Sequence, residues 1–293
     1  MTKALARPKF FPQILPALTI NFTICLFKTQ NPKSKDPMQA DLFTYLIFII
    51  NGVFVGFISG LFMIGGGTAV VPVMTLLGYS PKIAVGISIT QMIFSSIFNS
   101  YLNYKKGLLR PNSSLAPCFG GLFGGSGVGF VMKSASELVI AYLVLGMLLW
   151  AFLRLFSSPL APAQEEKTSK FLQFFVGLCV GSLATTVGIG GAMLLTPALV
   201  GFCHFELKKA AGISGLFVLF TATGGFISMY KAGFVDMEAG VIIGLCSLFG
   251  VKAGNAIFHQ IQAKTLKKLL LGLYIIMMLL AIKEVLKQHG IGL

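Results

Sequence analysis

The sequence predicts an all-α polytopic membrane protein, and its composition and the spacing of its charged residues lead to that prediction. The chain has 293 residues, of which 55% are hydrophobic and only 11% are charged. Its mean hydropathy is +0.85. Soluble domains carry about 25% charged residues, so a soluble enzyme is excluded. The net charge of +14 comes from basic residues between apolar runs. We therefore expect the lipid bilayer, and no nucleic acid, as a partner.

Two of the charge-free intervals are too long for a single membrane crossing. About 20 apolar residues span a bilayer, whereas the intervals 42–81 and 171–205 contain 40 and 35 residues. Glycines interrupt both, at Gly65–Gly67 and at Gly188–Gly191 around Ile189. Consecutive glycines favour no single backbone conformation. We predict in each interval a helix, a break, and a second helix or half-helix that returns, with the break lining a protein-walled cavity.

The two long intervals begin two copies of one pattern. A shift of 125 residues, and then of 126 after a single-residue gap, superposes identical residues along both halves of the chain. Such a nearly constant register indicates an internal duplication. The matched pairs include Gly52 and Gly177, Gly56 and Gly181, Gly65 and Gly190, Gly66 and Gly191, Pro72 and Pro197, Ala84 and Ala210, Gly86 and Gly212, Ser88 and Ser214, and Gly124 and Gly250.

The basic residues predict how the two copies are oriented. If each copy is a glycine-broken helical hairpin followed by three transmembrane helices, it crosses five times and the copies are inverted. With the N-terminal extension left aside, fifteen of the remaining basic residues then divide into ten on one side of the membrane and five on the other. If each long interval crosses once, the same residues divide almost evenly. Because positive residues concentrate in cytoplasmic loops, we predict two inverted-topology repeats.

The chain is accordingly divided into five segments. Residues 1–41 form an N-terminal extension that fits neither copy, with Met38 as an alternative start. Residues 42–156 are repeat 1 and residues 171–287 are repeat 2. The segment 157–170 links them, and residues 288–293 are a tail.

The glycine motifs resemble those of a known family. The stretch Gly56–Pro72, followed by Ala84–Ser88, resembles the TauE/SafE sulfite-exporter family, the 4-toluene sulfonate uptake permease group. In the second copy, Val187–Pro197 followed by Gly212–Ser214 is similar to that family's second motif, although Ala192 stands where the first copy has Gly67. The resemblance covers about residues 42–287 and implies a multi-pass transporter in the bacterial inner membrane. Its implied substrates are small sulfur-containing or organic anions such as sulfite, sulfonates or sulfoacetate.

The acidic residues point independently to an anion. All nine lie in predicted loops or at helix ends, whereas a cation carrier usually needs a carboxylate within the membrane. Helix breaks offer free backbone N–H groups and positive dipole ends, and transporters with inverted repeats bind substrate where such breaks meet. The predicted site therefore comprises Gly65, Gly66, Gly67 and Thr68 with Gly190, Gly191 and Ala192. The alternative is that these glycines only permit close helix packing.

Polar residues on the helices after each break extend the predicted site. They are Ser88, Thr90 and Gln91 in the first copy and Ser214 in the second. In membrane helices such hydroxyls often bond to their own backbone instead. Lys252 is a further candidate because an anion needs a cation, although a lysine here can also extend to the membrane interface.

No catalytic, metal or cofactor motif accompanies these features. The chain lacks a complete phosphate loop, a Cys-x-x-Cys pair and histidines at metal-ligand spacing. We therefore expect no enzyme and no cofactor, but a secondary transporter that works by alternating access. An uncoupled anion channel is the alternative. A further alternative is an intramembrane serine protease, in which Ser214 and His259 would form a dyad. Homo-oligomerisation is left open.

Overall fold

The structure, a computed structural model, describes residues 42–107, 111–134, 137–157, 169–188, 190–202 and 205–288. Within these ranges the chain forms eleven α-helices and no β-strand, which confirms the all-α prediction. The chain divides into the units Met1–Tyr45 and Leu46–Leu293, and residues 42–45, the start of one helix, are the described part of the first unit. The predicted N-terminal extension with Met38, most of the linker and most of the tail lie outside the described residues.

The helices follow the predicted order in both halves of the chain. A long helix is followed by a glycine break, a short helix and further helical segments. The first half contains α1 (Leu42–Phe62), α2 (Gly67–Leu76), α3 (Pro81–Lys105), α4 (Pro111–Ser126), α5 (Val128–Ser134) and α6 (Glu137–Ser157). The second half contains α7 (Lys170–Thr186), α8 (Ala192–Phe202), α9 (Leu207–Ala232), α10 (Met237–Gln260) and α11 (Ala263–Gln288).

One predicted helix is interrupted. The charge-free interval 111–132 fits a single crossing, but in the structure α4 ends at Ser126 and α5 begins at Val128. Glycine and serine around the junction are poor helix formers, and Gly127 forms a turn whose amide donates to the Gly124 carbonyl at 3.4 Å. The chain turns there because the local sequence gives the helix little support.

Among the residues that the structure describes, four helices are long and apolar enough to cross a membrane. They are Thr44–Phe62, Pro81–Lys105, Leu207–Ala232 and Met237–Gln260. The helices α2 and α8 contain only 10 and 11 residues, which at 1.5 Å per residue reach about half of a 30 Å hydrocarbon core. They are the half-helices that the glycine interruptions predict. Large apolar side chains such as Phe54, Phe171 and Phe249 are more than half exposed, as expected of a surface in contact with lipid.

Glycines on α1 and α10 allow the two helices to approach closely. A methyl group on Gly52 would lie 2.7 Å from the carbonyl oxygen of Ile243, and one on Gly56 would collide with the backbone of Ser247. From the other side, Gly250 faces the backbone of Val53. Small residues allow such backbone contact between membrane helices. Because residue numbers rise together along the contact, α1 and α10 run parallel.

The helices α7 and α4 pack in the same way. Gly177 meets the backbone of Pro117, Gly181 meets Gly121, and Gly124 meets the carbonyl of Leu178. Applying the shifts of 125 and 126 residues to the α1–α10 contacts gives these same partners. The first helix of each half therefore packs against the fourth helical segment of the other half, as a duplicated arrangement requires.

Polar contacts show which helix ends lie together. Lys106 Nζ donates to Asn255 Oδ1 at 3.3 Å, and Lys208 Nζ lies 5.9 Å from the ring centre of Phe258. The end of α3, the end of α10 and the start of α9 thus share one end of the bundle, here named the Lys106 end.

The opposite end is fixed by two further contacts. Lys82 Nζ lies 5.6 Å from the ring centre of Phe234, and the amide of Gly129 donates to Ser228 Oγ at 2.9 Å. The start of α3, the start of α5 and the end of α9 therefore lie together at what is here named the Lys82 end. It follows that α3 and α9 run in opposite directions.

The glycine contacts predict that an added methyl group lowers the stability of the fold at some glycines and not at others. Gly56→Ala and Gly181→Ala should each destabilise the fold by about 1–3 kcal/mol, because the Cβ would meet opposing backbone that has to move. The measurement is the thermal midpoint of the detergent-purified protein. Gly146→Ala is the matched control, since a Cβ there would have no neighbour within 4 Å. An equal loss of stability in the control would contradict the packing argument.

Candidate functional site at the two helix breaks

From Met63 to Gly67, the residues of the first break lie beside progressively earlier turns of α3. Met63 has a φ of 59°, a left-handed conformation that is rare for residues other than glycine, and Gly65 and Gly66 have φ of 85° and 77°. Asn103 Nδ2 donates to the sulfur of Met63 at 3.1 Å. Ser95 Oγ shares its one hydrogen between the carbonyl of Gly65 at 3.3 Å and that of Met92 in its own helix at 3.2 Å. The reversal of direction therefore depends on backbone conformations that only glycine adopts readily, supported by side chains of α3.

The rest of the break lies against earlier turns of α3. Gly66 lies against the side-chain amide of Gln91, and Gly67, the first residue of α2, lies beside Ser88 Oγ. A methyl group on Gly67 would also collide with the carbonyl oxygen of Gly188. All of these groups are buried. The start of α2 is thus enclosed by α3 and by the second break.

The second break has the same construction. Gly188, Gly190 and Gly191 have φ between 74° and 78°, and α8 begins at Ala192. Thr221 Oγ1 of α9 lies 3.3 Å from the carbonyl oxygen of Gly190, and it shares its one hydrogen between this acceptor and the carbonyls of Phe217 and Val218 in its own helix, both at 3.1 Å. This bond corresponds to the one from Ser95 to Gly65, because a shift of 126 residues carries position 95 to 221 and one of 125 carries 65 to 190.

The two breaks meet each other across the halves of the chain. Ser88 Oγ of α3 donates to the carbonyl of Gly188 at 2.9 Å. A methyl group on Gly65 would lie 2.5 Å from Val218 of α9, and one on Gly190 would lie 2.5 Å from the sulfur of Met92 of α3. Each break therefore packs against both α3 and α9, and the starts of α2 and α8 belong to one buried region.

Gln91 is the most unusual side chain in this region. It is fully buried, and neither its Nε2 nor its Oε1 has a hydrogen-bond partner in the structure. An unsatisfied buried polar group costs about 1–3 kcal/mol, so a bond-forming group with no partner in a core requires an explanation. The equivalent position in the second half is Phe217, which carries no such cost.

The electrostatics of the region favour negative charge. The carboxylates whose side chains the structure describes lie at helix ends: Asp236 and Glu238 at the start of α10, and Glu206 just before α9. None of these is at the breaks. The starts of α2 and α8 instead supply backbone N–H groups and the positive ends of two helix dipoles.

The structure brings together most of the predicted site residues. The glycines of both breaks lie in one buried region with Ser88, Gln91 and Ala192. Thr196 Oγ1 donates to Ser214 Oγ at 3.0 Å, which places Ser214 beside α8. The side chain of Thr68 lies outside the described part of the structure.

Two predicted residues have simpler structural explanations. Thr90 Oγ1 donates to the carbonyl of Gly86 at 2.9 Å, within its own helix. This bond is the alternative that the sequence analysis left open for hydroxyls in membrane helices. Lys252 is exposed on α10 whereas the region around the breaks is buried, which fits an amine that extends to the membrane interface.

Ser214 and His259, the residues of the alternative protease dyad, have different hydrogen-bond partners. Ser214 accepts a bond from Thr196, and His259 Nε2 lies 3.1 Å from Asn103 Oδ1. The structure thus assigns both side chains to separate polar groups. Among the residues described, no group of three or more His, Cys, Asp or Glu side chains could hold a metal ion.

The sequence analysis missed three polar residues that support the breaks. Ser95 and Thr221 bond to break carbonyls, and Asn103 bonds to Met63. A signal for the first two was present, because the shift of 126 residues pairs a serine with a threonine. Hydroxyls at both equivalent positions indicate a shared role.

Comparisons with known proteins agree with this architecture. The sequence model of the family described as Sulfite exporter TauE/SafE matches residues 48–281. The chain is 26% identical over 234 residues to the Probable membrane transporter protein YdhB of Bacillus subtilis, covering 76% of this chain and 92% of that protein. It is 27% identical over 241 residues to the Probable membrane transporter protein MJ0441 of Methanocaldococcus jannaschii, covering 76% and 90%.

A third relative covers more of the chain. It is a Probable membrane transporter protein of Haemophilus influenzae, 24% identical over 278 residues, covering 84% of this chain and all of that protein. No solved structure matches the chain significantly. The family match spans both helix breaks and the helices packed around them. The chain therefore belongs to the sulfite exporter TauE/SafE family of membrane transporters.

Proposed function

We propose that this protein is a secondary transporter of small sulfur-containing or organic anions, of the sulfite, sulfonate or sulfoacetate type, in a bacterial inner membrane. The observation that carries the proposal is the meeting of the two helix breaks beside α3, whose buried, unpartnered Gln91 amide lies against the first break. Two half-helix starts and a free amide form a set of hydrogen-bond donors at membrane depth. No described carboxylate lies among them to favour a cation.

The binding chemistry follows from these donors. An oxyanion at the breaks would accept bonds from backbone N–H groups at the starts of α2 and α8 and from Gln91 Nε2. It would also compete with the carbonyl of Gly188 for the hydroxyl of Ser88, which bonds to that carbonyl in the structure. Substrate binding would thus change a contact between the two halves of the chain, which is what a coupled transport cycle requires.

The helix directions support inverted repeats. The equivalent helices α3 and α9 run in opposite directions between the Lys106 end and the Lys82 end. The parallel pairs α1–α10 and α7–α4 extend the same relation to the other segments. Inverted repeats with a site at their interface are the usual architecture for alternating access. The positive-inside rule then makes the Lys106 end cytoplasmic.

The close packing of the breaks favours a carrier over an uncoupled channel. Methyl groups on Gly65, Gly67 and Gly190 would all collide with atoms of neighbouring elements, so in this conformation no continuous pore passes between the breaks at these three positions. A carrier in an occluded state needs no such pore, because access is opened from one side at a time.

The proposed function predicts saturable exchange. Proteoliposomes preloaded with sulfite or methanesulfonate should take up labelled substrate faster than empty ones, because a carrier that returns loaded exchanges substrate across the membrane. Initial rates should be measured at defined membrane potentials and proton gradients. Uptake that does not saturate and follows the potential alone would indicate the channel. The absence of flux for every sulfur oxyanion and sulfonate under all gradients would remove the substrate assignment.

Replacing Gln91 should separate stability from transport. Gln91→Leu removes the unpartnered amide, so the thermal midpoint should stay unchanged or rise, whereas transport should fall at least about tenfold, as loss of one hydrogen bond to a charged ligand predicts. Thr223→Val is the control, since Thr223 bonds only to the Leu219 carbonyl of its own helix. Wild-type rates in Gln91→Leu would show that the amide has no part in the site.

The inverted topology predicts where single cysteines can be labelled. In a background without the native cysteines, an impermeant thiol reagent added to intact cells should label Lys231→Cys at the Lys82 end. It should label Lys105→Cys at the Lys106 end only after the cells are opened, because that end is assigned to the cytoplasm. Both residues are exposed on the protein surface, so a difference in labelling reports the side of the membrane and not burial within the protein. Labelling of both from the same side would rule out the arrangement.

A further inference from the structure

A line of polar side chains continues from the breaks to the Lys106 end. It is named here the α3 stripe, and its spacing of three or four residues places it on one face of the helix. Its first five members are fully buried or nearly so, and the last is exposed. Buried polar side chains in a membrane helix are costly and typically mark a substrate or ion pathway. The stripe consists of Ser88, Gln91, Ser95, Asn99, Asn103 and Lys106.

The outer part of the stripe joins polar residues of α10. Asn255 Nδ2 donates to Asn99 Oδ1 at 3.2 Å and to Asn103 Oδ1 at 3.0 Å. Lys106 Nζ donates to Asn255 Oδ1 at 3.3 Å, and His259 Nε2 lies 3.1 Å from Asn103 Oδ1. These five residues form one connected group that reaches from the membrane interior to the surface. It is named here the outer cluster.

The opposite end of the molecule has no equivalent group. The shift of 126 residues carries Asn99, Asn103 and Lys106 to Gly225, Met229 and Ala232. It relates Asn255 and His259 to Gly129 and Lys133 in the same way. If asparagines were needed only to hold the helices together, the duplicated scaffold would need them at both ends. Their presence at one end alone indicates a role tied to that side of the membrane.

The charge around the outer cluster is positive. Lys106 is its exposed member, and Lys208 lies against Phe258, the neighbour of His259. In the described part of the chain, neither lysine forms an ion pair with a carboxylate; the ion pair found nearby is between Lys209 and Glu206. Ammonium groups and side-chain amides together are suited to oxyanions, and unpaired cations at an opening concentrate anions.

One donor of the outer cluster has a poor acceptor. The amide of Asn103 donates to the thioether sulfur of Met63 at 3.1 Å, and a thioether is a weak acceptor. Met63 is also the residue with the left-handed backbone at the start of the first break. An anionic oxygen would be a stronger acceptor for the same amide, and binding it would release a contact to the break.

We propose that Lys106, Asn103, Asn255 and His259 form a second anion-binding site, a vestibule that receives a small oxyanion at the Lys106 end. The α3 stripe then leads from this site to the breaks. The inference rests on the proposed function for the direction of travel, but binding in the vestibule does not require transport. The vestibule makes the two faces of the protein unequal in their affinity for substrate.

The kinetic test compares two neighbouring lysines. Lys106→Gln should raise the apparent KM for sulfite about tenfold when substrate is supplied at the Lys106 end, because one charge-assisted bond is lost. The KM measured from the Lys82 end should not change. Right-side-out and inverted membrane vesicles present the two faces. Lys105→Gln is the matched control, since Lys105 is equally exposed but lies 5.0 Å from the ring centre of Tyr101, outside the cluster.

The outcomes are distinguishable. An unchanged KM in Lys106→Gln, an equal rise at both faces, or the same rise in Lys105→Gln would overturn the vestibule while leaving the proposed transport function intact. If the wild-type protein moves neither sulfite nor methanesulfonate, the proposed function fails, and the vestibule is then decided by a measurement that needs no transport.

That measurement is thiol modification in a cysteine-free background. In His259→Cys, an anionic methanethiosulfonate reagent should react about tenfold faster than a cationic one of similar size, because positive charge concentrates anions there. Methanesulfonate should slow the reaction. Lys133→Cys, at the equivalent position of the other half, should show neither effect. Equal rates for the two reagents at His259→Cys, or no protection by methanesulfonate, would overturn the vestibule.

Discussion

A polypeptide that leaves the helical conformation at membrane depth must find all of its hydrogen-bond partners within the protein. This chain does so at two places, and the arrangement of its central helices follows from that requirement. Ser95 and Thr221 supply donors to the carbonyls of Gly65 and Gly190, and Ser88 supplies one to Gly188. For these bonds to form, α3 and α9 must lie beside both breaks, which makes them the most enclosed of the long helices.

The sequence was sufficient to predict the helical fold, the two breaks and the half-helices after them. Those features depend on local properties, namely runs of apolar residues and clusters of glycine. It was not sufficient to identify Ser95 or Asn103, because the partner of each lies 30 or 40 positions away and is known only once the chain has reversed. Lys252 shows the same limit. Its position among apolar residues left open whether it binds the anion or extends to the membrane interface, because the face of a helix that is covered depends on its neighbours.

A duplicated scaffold provides an internal control for function. Where both halves carry the same residue type, as at Ser95 and Thr221, the requirement is architectural and belongs to the break itself. Where they differ, as at Gln91 and Phe217, packing alone does not explain the polar member, because the apolar one occupies the equivalent place. The outer cluster extends this contrast over several helical turns. Comparing the halves therefore separates the residues that the fold requires from the residues that make the two ends of the molecule different.

The exchange of partners between halves, with α1 against α10 and α7 against α4, also has a consequence for how the molecule is made. Gly52 meets Ile243, which the ribosome adds about 190 residues later, and at 5–20 residues per second this takes roughly 10–40 s. During that interval the glycine face of α1 is covered by lipid or by other parts of the chain. Neither half is complete before the other is inserted, so assembly of the bundle ends only when the second half displaces lipid from the first.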